Sequence, residues 1–301
     1  MKKALILVVL LLTVFVGEML MFENNTHAQD KEPYIAVTSF PLYEIAKELV
    51  DNKIEVKKLI PFGVEAHTYT PSVRTMTGLT QAKRFVYNGL GLEPWIKKEY
   101  SNGMNMSSFV QLQEHQESEE EEHHHDDEES DPHYWLDIEN MIRMTAALAE
   151  KLSEDFPEHK SMFERNSKTY IKTLRELKEE YAQRLKSCKR REIVVNHNAF
   201  GYLGHEHGFA SHSVTGLSPD EQASAKRMKE ITDLVRDEGI KTVFFESFVS
   251  PKVATAISKE TGAQAQSLQP LANVNEKEAA KGYIALMQEN LEKLAAAMEC
   301  E

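Results

Sequence analysis

From residue 34 onward the apolar positions follow two alternating spacings, and the order of those spacings predicts the architecture. Residues 34–38 (Tyr-Ile-Ala-Val-Thr) are a short, apolar, β-branched run that reads as a strand. After Phe40-Pro-Leu-Tyr, residues 44–50 take up helical spacing. The same order starts again with a strand at 55–60, before a loop holding Gly63 and Pro71, and a third time with a strand at 85–87, ahead of Trp95 and Ile96. Repeated strand-helix units imply a mostly parallel sheet. The pattern then changes: residues 138–191 contain no Gly and a single Pro, Pro157, with apolar residues three and four apart. This predicts a helix over 138–155 and a longer one over 158–186. The longer helix would span about 40 Å, enough to cross from one domain to another. Strands follow at 192–195, 241–245 and 265–268, and an amphipathic helix over 278–298 closes the chain.

The expected class is therefore α/β, with two lobes that each hold a mostly parallel sheet flanked by helices, joined by one long rigid helix. The lobes are placed at 33–157 and 189–301, with the linking helix at 158–188. A length of 301 residues accords with about two cored units. Ahead of them, basic residues at the amino terminus, an apolar run over 4–17 and a small residue at Ala28 form a secretory signal pattern over 1–28. The alternative is an uncleaved anchor, because residues 4–22 are long enough to span a bilayer with only Glu18 against it. Both readings put the body outside the cytoplasm, most simply in the periplasm. No Cys follows the apolar run, so a lipid anchor is not expected.

Charge narrows the partners. Asp and Glu number 48 against 35 Lys and Arg, a formal −13, and no basic block tracks a phosphate backbone, so nucleic acid is not expected. Residues 114–131 carry eleven carboxylates and no Lys or Arg, so most of the acidity is local. That composition predicts disorder there. The two cysteines, Cys188 and Cys300, cannot form a CxxC motif. They read as a small buried side chain and a free terminal thiol, with one bridge between them as the alternative.

Among twelve histidines, three occupy comparable places: His67 in the loop after the second strand, His133 just before a helix, and His197 directly after the strand at 192–195. Loops beyond the carboxyl ends of parallel strands line the ligand crevice of such folds, so these three can converge between the lobes. Three neutral imidazoles with a fourth position open or filled by a carboxylate suit Zn²⁺ better than manganese, which prefers more oxygen ligands. His205, His207 and His212 read as surface histidines.

Four strings carry a resemblance: Val-Glu-Ala-His-Thr-Tyr-Thr-Pro at 64–71, Asp-Pro-His-Tyr-Trp-Leu-Asp at 131–137, Asn-His-Asn-Ala-Phe-Gly-Tyr-Leu at 196–203 and Gly-Leu-Ser-Pro-Asp at 216–220. In this order and spacing the chain resembles the zinc-type solute-binding proteins of metal ABC transporters over about 34–298. The resemblance implies two α/β lobes bridged by one long helix, capture of Zn²⁺ outside the cytoplasmic membrane, and delivery to an ABC transporter permease and its ATPase. It places the metal ligands at His67, His133 and His197. The membrane would be met only through the permease or an uncleaved amino-terminal segment, and the chain is expected to act as a monomer and not as an enzyme. Many members supply a fourth, carboxylate ligand where this chain has Ala272, leaving water, Glu65, Glu246 or a residue of the acidic stretch for that position, with water or Glu65 favoured. The acidic stretch, with His115, His123, His124 and His125, resembles the His-rich insertion of zinc-type members and is read as an auxiliary capture segment. The alternative is a secreted three-histidine zinc hydrolase, which would need a general base and a substrate pocket at the open position.

Overall fold

The computed structural model describes residues 32–97, 100–113, 130–247 and 250–301, and Tyr34–Glu301 form one compact unit. The expected signal or anchor at 1–28 and the histidines at 115 and 123–125 lie outside the described residues. The first lobe contains β1 (Tyr34–Val37), α1 (Phe40–Val50), β2 (Glu55–Lys58), α2 (Val73–Leu79), β3 (Arg84–Tyr87) and β4 (Gly103–Asn105). Next come α3 (Ile138–Asp155), a 3₁₀ turn at Pro157–His159 and α4 (Lys160–Arg184). The second lobe runs through β5 (Glu192–Val195), α5 (Gly201–His207), β6 (Ala210–Ser213), α6 (Ala225–Asp237), β7 (Thr242–Phe245), α7 (Lys252–Thr261), β8 (Gln264–Ser267), α8 (Glu276–Ala279) and α9 (Gly282–Ala297).

The two sheets have the same plan. Their strand orders are β2-β1-β3-β4 and β6-β5-β7-β8, with every strand pairing parallel. The inner strands are apolar because helices cover both their faces: all four residues of β1 and of β3 are buried. Of the strands, β4 and β6 were not legible beforehand. Gly-Met-Asn and Ala-Ser-His-Ser carry little β propensity and hold their places through ladder bonds to β3 and β5. Trp95 and Ile96, expected near a helix, instead lie in a bend between β3 and β4, packed against the outer first-lobe cluster of Tyr34, Phe85 and Tyr87.

Helix ends follow their capping chemistry. Pro41 lets α1 begin at Phe40, four residues before the apolar spacing announces it. Asp137 caps α3 by accepting from Glu139 N at 2.8 Å. The 25 residues of α4 span about 37 Å, somewhat less than expected because the 3₁₀ turn takes up its start. The closing helix is broken into α8 and α9 at Gly282, whose φ of 81° no helix interior tolerates and where a Cβ would come within 3.0 Å of Glu44 Oε2.

One apolar core runs through both lobes. Ile35 and Val37 of the first sheet, Leu148 of α3, Leu174 and Tyr181 of α4, Val195 and Phe244 of the second sheet and Leu286 of α9 belong to a single buried cluster. Buried polar bonds stitch the same seam: Trp135 Nε1 donates to Pro270 O at 2.8 Å, Tyr283 OH to Trp135 O at 2.7 Å and Tyr181 OH to Met287 O at 2.6 Å. A continuous core with a long helix across it resists hinge bending.

The expectation of unpaired thiols is corrected by the fold, because Cys188 and Cys300 form a disulfide across 112 residues. The chain beyond α9 turns back antiparallel to the segment beyond α4, with Arg190 N donating to Met298 O and Glu301 N to Ser187 O. Only that return brings the two cysteines together, and closing so long a loop removes about 4 to 5 kcal/mol of unfolded-chain entropy.

Candidate metal centre

Each of the three histidines sits where a strand or a short turn hands the chain to a loop. His67 lies in the turn after β2, and that turn is pinned by the second lobe: Asn273 Nδ2 donates to Pro61 O at 2.6 Å and Val64 O at 2.7 Å, and Gly63 N donates to Val274 O at 2.9 Å. Glu65 Oε1 accepts His67 N at 3.1 Å, closing the turn locally. His133 precedes the 3₁₀ turn Tyr134–Leu136, which is held to the end of β3 through Tyr134 OH donating to Asn88 O at 2.9 Å. His197 follows β5 directly, and the next residue, Asn198, donates its N–H to Gly216 O at 2.8 Å.

The fold brings the three imidazoles to one point. His133 Nε2 lies 3.2 Å from His67 Nε2 and 3.3 Å from His197 Nε2. His133 and His197 are buried and His67 is half-buried. Ligand nitrogens 2.0–2.1 Å from a tetrahedral ion are about 3.3 Å apart, so the spacing is that of a metal triad. Among the described residues this is the one group of histidines, cysteines and carboxylates with converging ligand atoms.

Two carboxylates decide which nitrogen faces inward. Asp131 Oδ1 accepts His133 Nδ1 at 2.7 Å and also His133 N at 2.9 Å. Glu246 Oε1, directly beyond β7, takes His197 Nδ1. With a proton on each Nδ1, both Nε2 atoms present lone pairs to each other at 3.3 Å. That contact is repulsive for neutral rings and becomes favourable when a cation shares the lone pairs.

Electrostatics divide the three rings. Burial, reinforced by the two neighbouring imidazoles, pushes His67 down to about 2. Burial also lowers His133, against the opposing pull of Asp131. At His197 burial works in the same direction, but the charge and hydrogen bond of Glu246, helped by Glu65 and Asp131, outweigh it and raise the ring.

Beside the three rings the structure holds a small polar cavity and no further converging ligand atom among the described residues. Ala272 offers no ligand, and its carbonyl is spent on Phe40 N at 3.1 Å. A cavity of about 10 Å³, about the room one water needs, is bounded by Glu65, His67, His197, Glu246, Gln269, Pro270, Ala272 and Asn273. Gln269 is buried, and its amide nitrogen is committed to Ser247 Oγ and to Glu278 Oε1 at 2.7 Å. Its Oε1 is buried with no partner among the described residues, an acceptor suited to a water in that cavity. Burial raises the Glu65 carboxyl, with the charges of Glu246 and Asp220 adding to the effect and the His67 N–H opposing it.

Of the sequence-named candidates, then, His67, His133 and His197 converge. Glu246 braces His197 from behind, and Glu65 lines the cavity without joining the converging atoms. His205 is exposed, His207 is half-buried against Tyr181 at 5.3 Å, and His212 faces Glu192 at 3.5 Å. Two residues at this centre were passed over in reading the sequence. Asp131 was visible as a carboxylate two positions before a histidine, a spacing at which a side chain can reach back to an imidazole. Gln269 left no signal, because only the fold brings it to the cavity.

Comparison with known proteins follows the same line. Over residues 35–297 the chain matches the family described as ZnuA, Zinc-uptake complex component A periplasmic. It is 32% identical over 307 residues to the zinc-binding lipoprotein AdcA of Streptococcus pneumoniae strain R6, covering 98% of this chain and 60% of that protein. The chain thus spans about three fifths of the length of that relative. Similarity to the high-affinity zinc uptake system protein ZnuA of Bacillus subtilis is 32% over 285 residues, covering 90% of this chain and 89% of that one. The crystal structure of the Zn(II)-bound ZnuA-like domain of Streptococcus pneumoniae AdcA superposes with a TM-score of 0.74 at 30% identity, over 89% of this chain and 100% of that domain.

Proposed function

This chain belongs to the periplasmic zinc-uptake component A family, and from that premise we propose that it captures Zn²⁺ outside the cytoplasm through His67, His133 and His197 and delivers it to an ABC-type permease driven by its ATPase. The observation that carries the reading is the convergence of three Nε2 atoms, those of His67 and His197 lying 3.2 and 3.3 Å from that of His133, with two of the rings turned inward by carboxylates. Neutral imidazoles at tetrahedral spacing favour zinc over manganese or magnesium, which ask for oxygen ligands. In this reading a water fills the fourth position in place of the carboxylate that Ala272 cannot supply. Family membership and the relatives' names support a zinc-binding transport role, and the one-water cavity favours a captured ion over the substrate a hydrolase would process.

The site works by donor geometry and protonation. Asp131 and Glu246 keep the protons on Nδ1 of His133 and His197, so those two rings meet the ion with their lone pairs and without rearrangement. The continuous core holds these rings in register, so release to a permease proceeds by small movements of the loops around His67 and His197 and not by opening of a hinge.

The test is zinc stoichiometry and competition against manganese on the chelator-stripped chain, for the wild type, His197→Ala and a deletion of residues 114–130. One tight zinc site lost in His197→Ala and kept in the deletion supports the reading. Tight binding that survives His197→Ala and vanishes with the deletion moves the zinc chemistry to the acidic stretch and sinks the proposal.

A further inference from the structure

Two segments that flank the acidic stretch meet at one hydroxyl group. Tyr202 of α5 is 1% exposed. Its OH accepts Gln113 N at 3.3 Å and donates to Asp131 O at 3.3 Å. Gln113 Nε2 reaches the Tyr202 carbonyl at 3.4 Å. Two backbone atoms that each touch one oxygen are separated by no more than twice the contact distance, so the chain leaves for the acidic stretch and returns from it at a single neck. On the outgoing side the neck is anchored to α3, where Asn140 exchanges bonds with Gln111 N at 2.8 Å and Gln111 O at 3.0 Å. On the returning side the clasp falls on Asp131, the residue that holds His133.

Asp131 is gripped from two directions. Tyr202 takes its carbonyl, while the carboxylate, bonded to His133, lies against α5 where Gly201 has no side chain: a Cβ there would come within 3.2 Å of Asp131 Oδ2. Gly201 and Tyr202 follow His197 by four and five residues, so the segment that carries one histidine of the triad also fixes the support of another. Ten carboxylates lie between Gln113 and Asp131.

We propose that Tyr202 is a positioning residue for metal binding: its hydroxyl closes the neck of the acidic insertion and thereby holds Asp131, and through it His133, in register with His197. The proposal rests on the reading of His133 as a zinc ligand. It also fixes where the insertion ends functionally: at Ser130, because Asp131 belongs to the metal centre.

The experiment measures Zn²⁺ affinity by chelator competition and the d–d spectrum of the Co²⁺-loaded protein, together with the melting midpoint of the metal-free chain. The proteins are the wild type, Tyr202→Phe, an excision of residues 114–130 joined by Gly-Gly, the double variant, and Gly201→Ala. Excision alone keeps the affinity within about twofold of wild type. Tyr202→Phe weakens zinc about tenfold, the lower end of what loss of an outer-shell partner costs, and shifts the Co²⁺ bands. The double variant recovers both, because the short link closes the neck covalently. Gly201→Ala crowds Asp131 directly, so it weakens zinc by a similar factor, is not helped by excision, and leaves the melting midpoint at or above wild type, since Ala favours a helix over Gly. A Tyr202→Phe protein with wild-type affinity overturns the proposal, as does a double variant that keeps the full loss. Zinc affinity unchanged in His133→Ala overturns the ligand reading beneath it, a result seen before any Tyr202 variant is compared.

Discussion

The two lobes share one strand order, and therefore one crevice where that order reverses, yet they furnish it in opposite ways. In the first lobe the crevice beyond β1 and β3 is filled by Glu93, whose carboxylate accepts Thr38 Oγ1 at 2.5 Å, Asn88 Nδ2 at 2.9 Å, Asn88 N at 3.0 Å and Gly89 N at 2.9 Å. Asn88 Nδ2 also reaches Ser39 Oγ at 2.8 Å, and Thr38, Ser39, Asn88 and Glu93 are all buried. In the second lobe the matching crevice beyond β5 and β7 holds His197 against Glu246. There the carboxylate spends itself on one imidazole nitrogen and leaves the other with an unused lone pair. The same backbone geometry thus seals one crevice and arms the other. The sealed lobe contributes its histidines from outside its crevice, His67 from the turn after β2 and His133 from the chain returning to α3.

The comparison assigns binding to one crevice and stability to the other, and variants can break that division. The largest effect is expected from His197→Ala, which removes a donor nitrogen and should weaken zinc by more than about a hundredfold, above the range for an outer-shell loss. Chelator competition measures it. Glu246→Gln keeps the shape but loses the charge behind His197, and zinc should weaken by roughly 10- to 100-fold. A variant that binds as the wild type does would mean the pair is structural, like its counterpart in the first lobe.

Glu93→Gln tests the other side. It sets an amide N–H₂ among buried donors, so unfolding in urea should show a loss of about 1–3 kcal/mol while zinc affinity stays within about twofold. A large fall in zinc affinity at unchanged stability would contradict the sealed-crevice reading. Acid provides a graded probe of the armed crevice, since each ligating imidazole must be neutral. Zinc affinity should fall from about pH 8 to about pH 5 as protons compete, beginning at the raised His197 and last of all at the depressed His67. Flat affinity across that range, read by competition at each pH, would rule out the three-histidine site.

The smallest effect on zinc is expected at the seam between the lobes, where the change falls on stability instead. Glu44 of α1 accepts Tyr283 N of α9 at 2.8 Å, and burial, aided by Glu48, pushes its carboxyl up from 4.5 to about 7. A carboxyl raised on folding stabilises the native state in its protonated form. That contribution is complete below about pH 4.5 and is lost as pH rises through about 7. Glu44→Gln should therefore gain stability relative to wild type at pH 8, by up to about 3 kcal/mol, and little at pH 4.5. Denaturation at the two pH values checks the sign. Opposite signs would show that the ionised carboxylate is the better partner for the start of α9.

Much of this design was legible along the chain because it is written in local terms. The runs at 34–38, 85–87, 192–195 and 241–245 predicted the buried inner strands β1, β3, β5 and β7, those at 55–60 and 265–268 predicted the more polar β2 and β8, and the stretch without Gly predicted α3 and α4, because these signals need only neighbouring residues to show. The polar strands β4 and β6 escaped, since a ladder partner far away in sequence, and not their own composition, makes them strands. Equally invisible was the break at Gly282, and the bridge between Cys188 and Cys300, open as an alternative in the sequence, was decided only by the return of the chain beyond α9.

At the candidate metal centre the division is the same. The sequence by itself determined the α/β class, the two lobes with a helix between them, and the three histidines at loop positions beside strands and turns, because strand ends in a parallel sheet point to one side of it. Tertiary structure alone decided which atoms meet. It brought the three Nε2 atoms together, two of them turned inward by Asp131 and Glu246, placed Gln269 on the cavity beside them, and drew Gln113 and Asp131 together on Tyr202. The physical reason is that residue types and periodicity fix what each segment can bury and bond, whereas the partner of a buried polar atom is chosen by whichever distant segment the packing brings within 3 Å or so of it.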